Sequence, residues 1–132
     1  MPTFIFSKLV RDKIGQMHID AGHKLTIKNL SGQDLAKALC EKLHEEADEV
    51  SSALSRDELI EEIADVQQVL NDLCKLQNIN KDTLEDVRMK KESLKGGFTK
   101  GVYIDQVHMP VDDEWVAYCR RAPSKYPELT DL

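Results

Sequence analysis

Residues 35–76 read LAKALCEKLHEEADEVSSALSRDELIEEIADVQQVLNDLCKL. Leu35, Leu39, Leu43, Ala47, Val50 and Leu54 follow one another at intervals of three and four. That spacing draws an apolar stripe along one helix. Leu59, Ile63, Val66, Leu70 and Leu73 repeat the pattern, with Ile60, Val69 and Leu76 on neighbouring faces. Between the two stripes stands Ser55-Arg56-Asp57-Glu58. A serine followed three residues later by a glutamate predicts a helix start with a capping box. Two long helices joined by so short a link form an antiparallel hairpin. This stretch decides an all-α fold.

The neighbouring segments fit around that hairpin. Ser31-Gly32 marks the start of the first long helix, and the second runs to about Gln77. A third helix is expected over residues 82–95, stopped by Gly96-Gly97 and packed on the hairpin as a bundle. A short helix is expected over residues 10–19, ended by Gly22. Residues 3–6 read as a short strand or a packed strap, and residues 102–104 as a short extended segment. Residues 115–121 read as a small helix or an arm, and residues 122–132, with two prolines, as a loose tail. The expectation is one domain over residues 1–132, with 106–132 an arm of unassigned role.

Composition narrows the class. The chain has 132 residues, 41% apolar and 32% charged, which is ordinary for a soluble globular domain. Its net charge of −6 disfavours a nucleic-acid polymer as partner, since that binding runs on phosphate neutralisation. The three cysteines, Cys40, Cys74 and Cys119, form no CxxC, so neither a disulfide framework nor a cysteine zinc site is expected. Cys40 and Cys74 read as small buried hydrophobes of the helices. The opening residues MPTFIFSKLVRDKI lack a long apolar signal region, and no apolar run is long enough to span a bilayer. A cytoplasmic protein is the expectation.

Charge is segregated. Residues 7–28 carry five bases (Lys8, Arg11, Lys13, Lys24, Lys28) against two acids. Residues 41–72 carry eleven acids against only Lys42 and Arg56. Residues 88–101 carry five bases against Glu92 alone. Glu46 and Glu49 stand three apart on the first long helix, with Glu45 just before; Glu62 and Asp65 stand three apart on the second, with Glu61 just before. Residues three apart lie roughly 60° apart around a helix, so each pair shares a face. In the hairpin both pairs fall near the turn, beside the apolar stripes. Four carboxylates crowded this way repel unless a cation joins them. An all-oxygen set suits a hard dication, Mg²⁺ or Mn²⁺. Exposed acidic faces are also common on helices without any ion, so spacing alone leaves both readings open.

Other chemistries find less support. Glu41-x-x-His44 is half of a di-iron motif without its second half, and His44-Glu45 lacks the second histidine of HExxH because Asp48 stands there. His44 therefore reads as a surface residue, and His18, His23 and His108 show no partner in the sequence. No phosphate-loop, dinucleotide or nucleophile-elbow motif occurs. Phe98, Tyr103 and Trp115 read as packing residues rather than base-stacking ones.

The order Glu45-Glu46-x-x-Glu49, twelve residues, then Glu62-x-x-Asp65 resembles the MazG-like all-α nucleoside triphosphate pyrophosphohydrolase superfamily, which includes phosphoribosyl-ATP pyrophosphohydrolases. Lys8-Leu9-Val10-Arg11-Asp12-Lys13-Ile14 looks like the opening of one branch, and Lys91 with Lys95-Gly96-Gly97-Phe98 resembles the segment after its third helix. The resemblance spans about residues 7–104. It implies Mg²⁺-dependent cleavage, with Mn²⁺ as the alternative ion, between the α- and β-phosphates of a nucleoside triphosphate. It implies that Glu46, Glu49, Glu62 and Asp65 hold the metal and that Glu45 orients or deprotonates water. Lys8, Arg11 and Lys13 would meet phosphates or a partner subunit, and Lys91 and Lys95 would do likewise from the far end. Two departures stand out: Gly15 follows the opening where proline is usual, and Lys95 stands where arginine is frequent. Large aliphatics on more than one side of the second helix, and the resemblance itself, predict a homodimer or higher oligomer. Nucleotide-pool housekeeping is the leading role. Phosphoribosyl-ATP hydrolysis and a non-catalytic helical interaction protein are the alternatives.

Overall fold

The computed structural model describes residues 1–130. It contains five helices: α1 Ile14–Asp20, α2 Gly32–Ser52, α3 Arg56–Leu76, α4 Lys81–Lys95 and α5 Glu114–Arg120. No strand occurs among the described residues, so the class is all-α as the periodicity predicts. Residues 3–6 and 102–104 form no strand, and their side chains are exposed.

The α2–α3 hairpin is the packed centre. Leu39 on α2 and Val69 on α3 are its buried aliphatics, 5% and 8% exposed. The helices switch direction over Ala53, Leu54 and Ser55. Ser55 has extended backbone, and its hydroxyl accepts a hydrogen bond from the Glu58 backbone N–H at 3.1 Å. The Glu58 carboxylate in turn accepts from the Leu54 N–H at 2.9 Å, one residue further back than the usual box. Leu54, read as the end of the α2 stripe, instead lies in this turn and is 91% exposed. The reason is that α2 ends at Ser52, two residues before the stripe does. The predicted N-cap Ser31 sits where expected, but its side chain makes no capping bond.

α3 and α1 end alike. Asn78 adopts φ 56°, the Ile79 N–H donates to Cys74 O at 2.8 Å, and the Asn78 N–H donates to Lys75 O. At α1, Gly22 adopts φ 82°, the His23 N–H donates to His18 O, and the Gly22 N–H donates to Ile19 O. Both are Schellman endings that satisfy the last carbonyls.

α1 begins later than the sequence suggests, at Ile14 rather than residue 10. Lys8 and Arg11 are drawn to carboxylates of α2 and α3, which holds the preceding segment out of helical register. α4 follows its predicted span, and its side chains are exposed throughout the single chain. Arg88 on α4 is held by Glu85 and Glu92 of the same helix. Cys40 is exposed rather than buried, because it follows Leu39 around the helix and faces away from α3.

A second compact unit begins at Lys95. Within it the Asp113 carboxylate accepts from the Trp115 N–H at 2.8 Å and starts α5. The chain then turns at Ala122 and returns, so that Arg120 grips Glu128 with two hydrogen bonds of 2.8 and 3.0 Å. Trp115 stands edge-on to Tyr118, and Tyr118 meets Tyr126. Residues 122–128 are thus folded back rather than loose; the last two residues of the expected tail lie outside the described residues. Phe98 and Tyr103 are exposed within this unit.

Candidate metal centre

Glu46 lies on α2, six residues before its end, with Glu62 and Asp65 the seventh and tenth residues of α3. The hairpin brings these three carboxylates together. One oxygen from each lies within 4.8 Å of the other two. Glu46 is buried, and Glu62 and Asp65 are half-buried. Desolvation of Glu62 and the negative charges of Asp65, Glu49, Glu46 and Glu61 raise its pKa above the usual carboxylate range. Glu49 therefore adds to the same negative field. It is itself exposed and stands outside the trio. It lies about 60° around α2 from Glu46, and its side chain stands in solvent.

Cations from two directions meet this acidic centre. Arg11 pairs with Asp65 Oδ1 through its guanidinium. Lys8 Nζ stands 3.3 Å from Glu45 Oε1. Lys42, one turn before the pair on α2, stands 3.3 Å from Glu45 Oε1 and 3.2 Å from Glu46 Oε1. Burial pushes the Glu45 carboxyl up, but hydrogen bonds from Lys42 and Lys8 outweigh it, so its pKa is lowered. Glu45 is an ionised carboxylate at neutral pH. Ser7, Lys8, Ala38, Lys42 and Glu45 line a shallow cleft of about 120 Å³.

Of the residues singled out from sequence, Glu46, Glu62 and Asp65 converge, and Glu45, Lys8 and Arg11 border them. Lys13 occupies the N-cap position of α1 without a side-chain capping bond and is exposed, and Lys91 and Lys95 are exposed on the last two turns of α4. None of these three lysines enters an ion pair among the described residues. Lys42 was not among them; its place four residues before Glu46 was the available signal. His18 and His23 do have a partner: their Nδ1 atoms share a hydrogen bond of 2.8 Å across the Gly22 turn.

Three carboxylates and no nitrogen or sulfur donor form a hard, all-oxygen set, the donor chemistry that suits a hard divalent cation. The site is thus a carboxylate cluster shared by the two helices of an all-α hairpin. Residues 12–91, more than half of the chain, match the sequence model of the phosphoribosyl-ATP pyrophosphohydrolase family. The chain belongs to that family, within the MazG-like nucleotide pyrophosphohydrolase superfamily. No curated protein and no solved structure matches it. The family implies a hydrolase that releases pyrophosphate from a nucleotide. The match begins at Asp12, so Lys8 and Arg11 precede it.

Proposed function

We propose that the chain hydrolyses a nucleoside triphosphate between its α- and β-phosphates, giving a nucleoside monophosphate and pyrophosphate, with Mg²⁺ or Mn²⁺ as cofactor. The observation that carries this reading is the convergence of Glu46, Glu62 and Asp65 from two helices of a pyrophosphohydrolase-family hairpin. Those three residues would hold the ion, with Glu49 completing the set from the rim. A bound dication would neutralise phosphate oxygens and acidify the attacking water.

The chain's own residues supply the rest. Glu45, kept ionised by Lys8 and Lys42, orients the water and accepts its proton. Arg11 and Lys8 stand at the same centre and would take up phosphate oxygens as the charge on the leaving pyrophosphate develops. Lys13, Lys91 and Lys95 are retained in this proposal as further phosphate contacts. Water adds across the anhydride, so no covalent nucleophile is needed.

Housekeeping of the nucleotide pool in the cytoplasm is the role proposed. The KLVRDKI opening favours a nucleoside triphosphate, whereas the family match itself favours phosphoribosyl-ATP as the second reading. The hairpin also leaves Ile60, Ile63 and Leu70 of α3 exposed, which supports a homodimer as the working form.

An assay with a panel of ribo-, deoxyribo- and modified triphosphates plus phosphoribosyl-ATP tests this. Phosphate that appears only when pyrophosphatase is added establishes α–β cleavage, and the best substrate names the role. Phosphate released without pyrophosphatase refutes it. No turnover with either ion favours a non-catalytic helical protein.

A further inference from the structure

Lys42 is the least exposed cation at the acidic centre, with 17% of its side chain accessible against 46% for Lys8 and 56% for Arg11. Its single ammonium touches two consecutive carboxylates, Glu45 and Glu46. Consecutive helical residues point about 100° apart, so those carboxylates do not come together by backbone geometry alone. A cation one turn back, reaching both, is what ties them. A glutamate four residues before a lysine is the favourable order on a helix, and here the lysine comes first. Ordinary helix stabilisation gains less from this order.

We propose that Lys42 is a positioning residue of the metal centre, an inference that rests on the metal reading above. It contacts Oε1 of Glu46, whose carboxylate also converges with those of Glu62 and Asp65. The same contact sets Glu45 beside Glu46. A carboxylate has lone pairs on both oxygens, so a lysine contact at one does not close the other. Groups that hydrogen-bond to metal ligands in this way fix the ligand's orientation, and losing one typically weakens metal binding about 10–100-fold. Lys42 differs from Arg11 in its anchorage. Arg11 comes from a separate, exposed segment, whereas Lys42 is built into the same helix as the ligand it holds.

The two possible roles of Lys42 predict opposite signs. A mere counter-ion competes with a dication, so removing it tightens metal binding. A positioning residue loosens binding when removed. The experiment is a calorimetric Mn²⁺ titration of the full chain, unaltered and as Lys42→Met and Lys42→Arg, with melting curves in EDTA beside it. Lys42→Met should weaken Mn²⁺ binding by about tenfold or more. Lys42→Arg, whose fork can still reach both oxygens, should restore most of it. Equal or tighter binding by Lys42→Met overturns the inference. So does a lowered melting temperature with unchanged Mn²⁺ affinity, which marks a structural lysine. If Lys42→Met loses helicity, Lys42→Gln is compared in its place under the same criteria. An unaltered chain that binds no Mn²⁺ overturns the metal reading itself, and this inference with it.

Discussion

Arg11, in the segment before α1, pairs with Asp65 on α3, a residue 54 positions further along the chain. The guanidinium therefore sits on an oxygen of the carboxylate trio. A cation in that position balances the centre's negative charge while no metal is bound. On the function proposed above, a bound dication would displace it from Asp65, and it would then meet the substrate's phosphates.

Replacing Arg11 by Met should separate those two roles. Mn²⁺ affinity should rise by up to about fivefold, the equivalent of the ~1 kcal/mol ceiling for exposed ion pairs. Turnover at saturating metal should fall at least about tenfold, because a charge aimed at the leaving group is lost. Calorimetry and the coupled pyrophosphate assay read the two effects. Weaker Mn²⁺ binding in the variant would show that Arg11 organises Asp65 instead of competing for it.

Glu46→Gln, Glu62→Gln and Asp65→Asn should each reduce turnover by at least ~100-fold while circular dichroism stays unchanged. The physical reason is the donor set: an amide oxygen is neutral and a weaker ligand for a hard dication. Glu49→Gln, exposed and outside the trio, should lose less. Equal losses at all four positions would place Glu49 among the obligatory ligands. Full activity in the three converging variants would favour the binding-protein reading.

The helices of this centre were legible because their signals are local. The three- and four-residue apolar steps and the Ser55–Glu58 cap operate within one or two turns. What decided the site's details was long-range. Lys8 meets Glu45 across 37 residues and Arg11 meets Asp65 across 54. No periodicity encodes such pairings, so the segment before Ile14 read as helix. Glu49 shares a face with Glu46 by spacing, but a 60° rotation is enough to leave it in solvent. Lys42 looked like a stray counter-charge in an acidic run until both of its carboxylates were in place.

Glu62 gives the metal-free protein a specific pH response. Its pKa is raised in the fold, chiefly by desolvation and then by Asp65, Glu49 and Glu46. In the window between the unfolded value and the raised one, the folded state binds more protons than the unfolded state. Its contribution to stability is therefore lost as pH rises through that window. In EDTA, Glu62→Gln should melt above the unaltered chain at neutral pH, and the two should converge as pH falls below the usual glutamate range. Saturating Mn²⁺ should reverse the order, since the ion stabilises only a chain that binds it. A Glu62→Gln variant that melts lower than the unaltered chain in EDTA at neutral pH would mean that the crowding is already relieved.

Ser55→Ala removes the hydroxyl that accepts from the Glu58 N–H. Loss of such a cap costs about 1 kcal/mol, or roughly 4 °C in melting temperature for a chain of this size. The cap starts the helix that carries Glu62 and Asp65, so saturating Mn²⁺ should recover much of the loss through mass action. A melting temperature unchanged in EDTA would mean that the Glu58–Leu54 bond alone holds the turn.

The last expectation concerns assembly. Only Leu39 and Val69 are buried aliphatics among the described residues, while Leu59, Ile60, Ile63 and Leu70 of α3 and Leu84 and Val87 of α4 are exposed. A chain of this length ordinarily buries well over half of the surface it exposes when unfolded. Covering an α3 face of this kind with a second copy would complete the missing layer, burying aliphatic surface at ~25 cal/mol per Å². Light scattering at micromolar protein should therefore give at least twice the mass of 15.0 kDa. Ile63→Glu should shift that mass toward the monomer and lower the melting temperature, since a charge at the seam opposes association. A monomeric mass for the unaltered chain would remove the dimer from the proposal. The carboxylate trio would remain, because all three of its residues come from one chain.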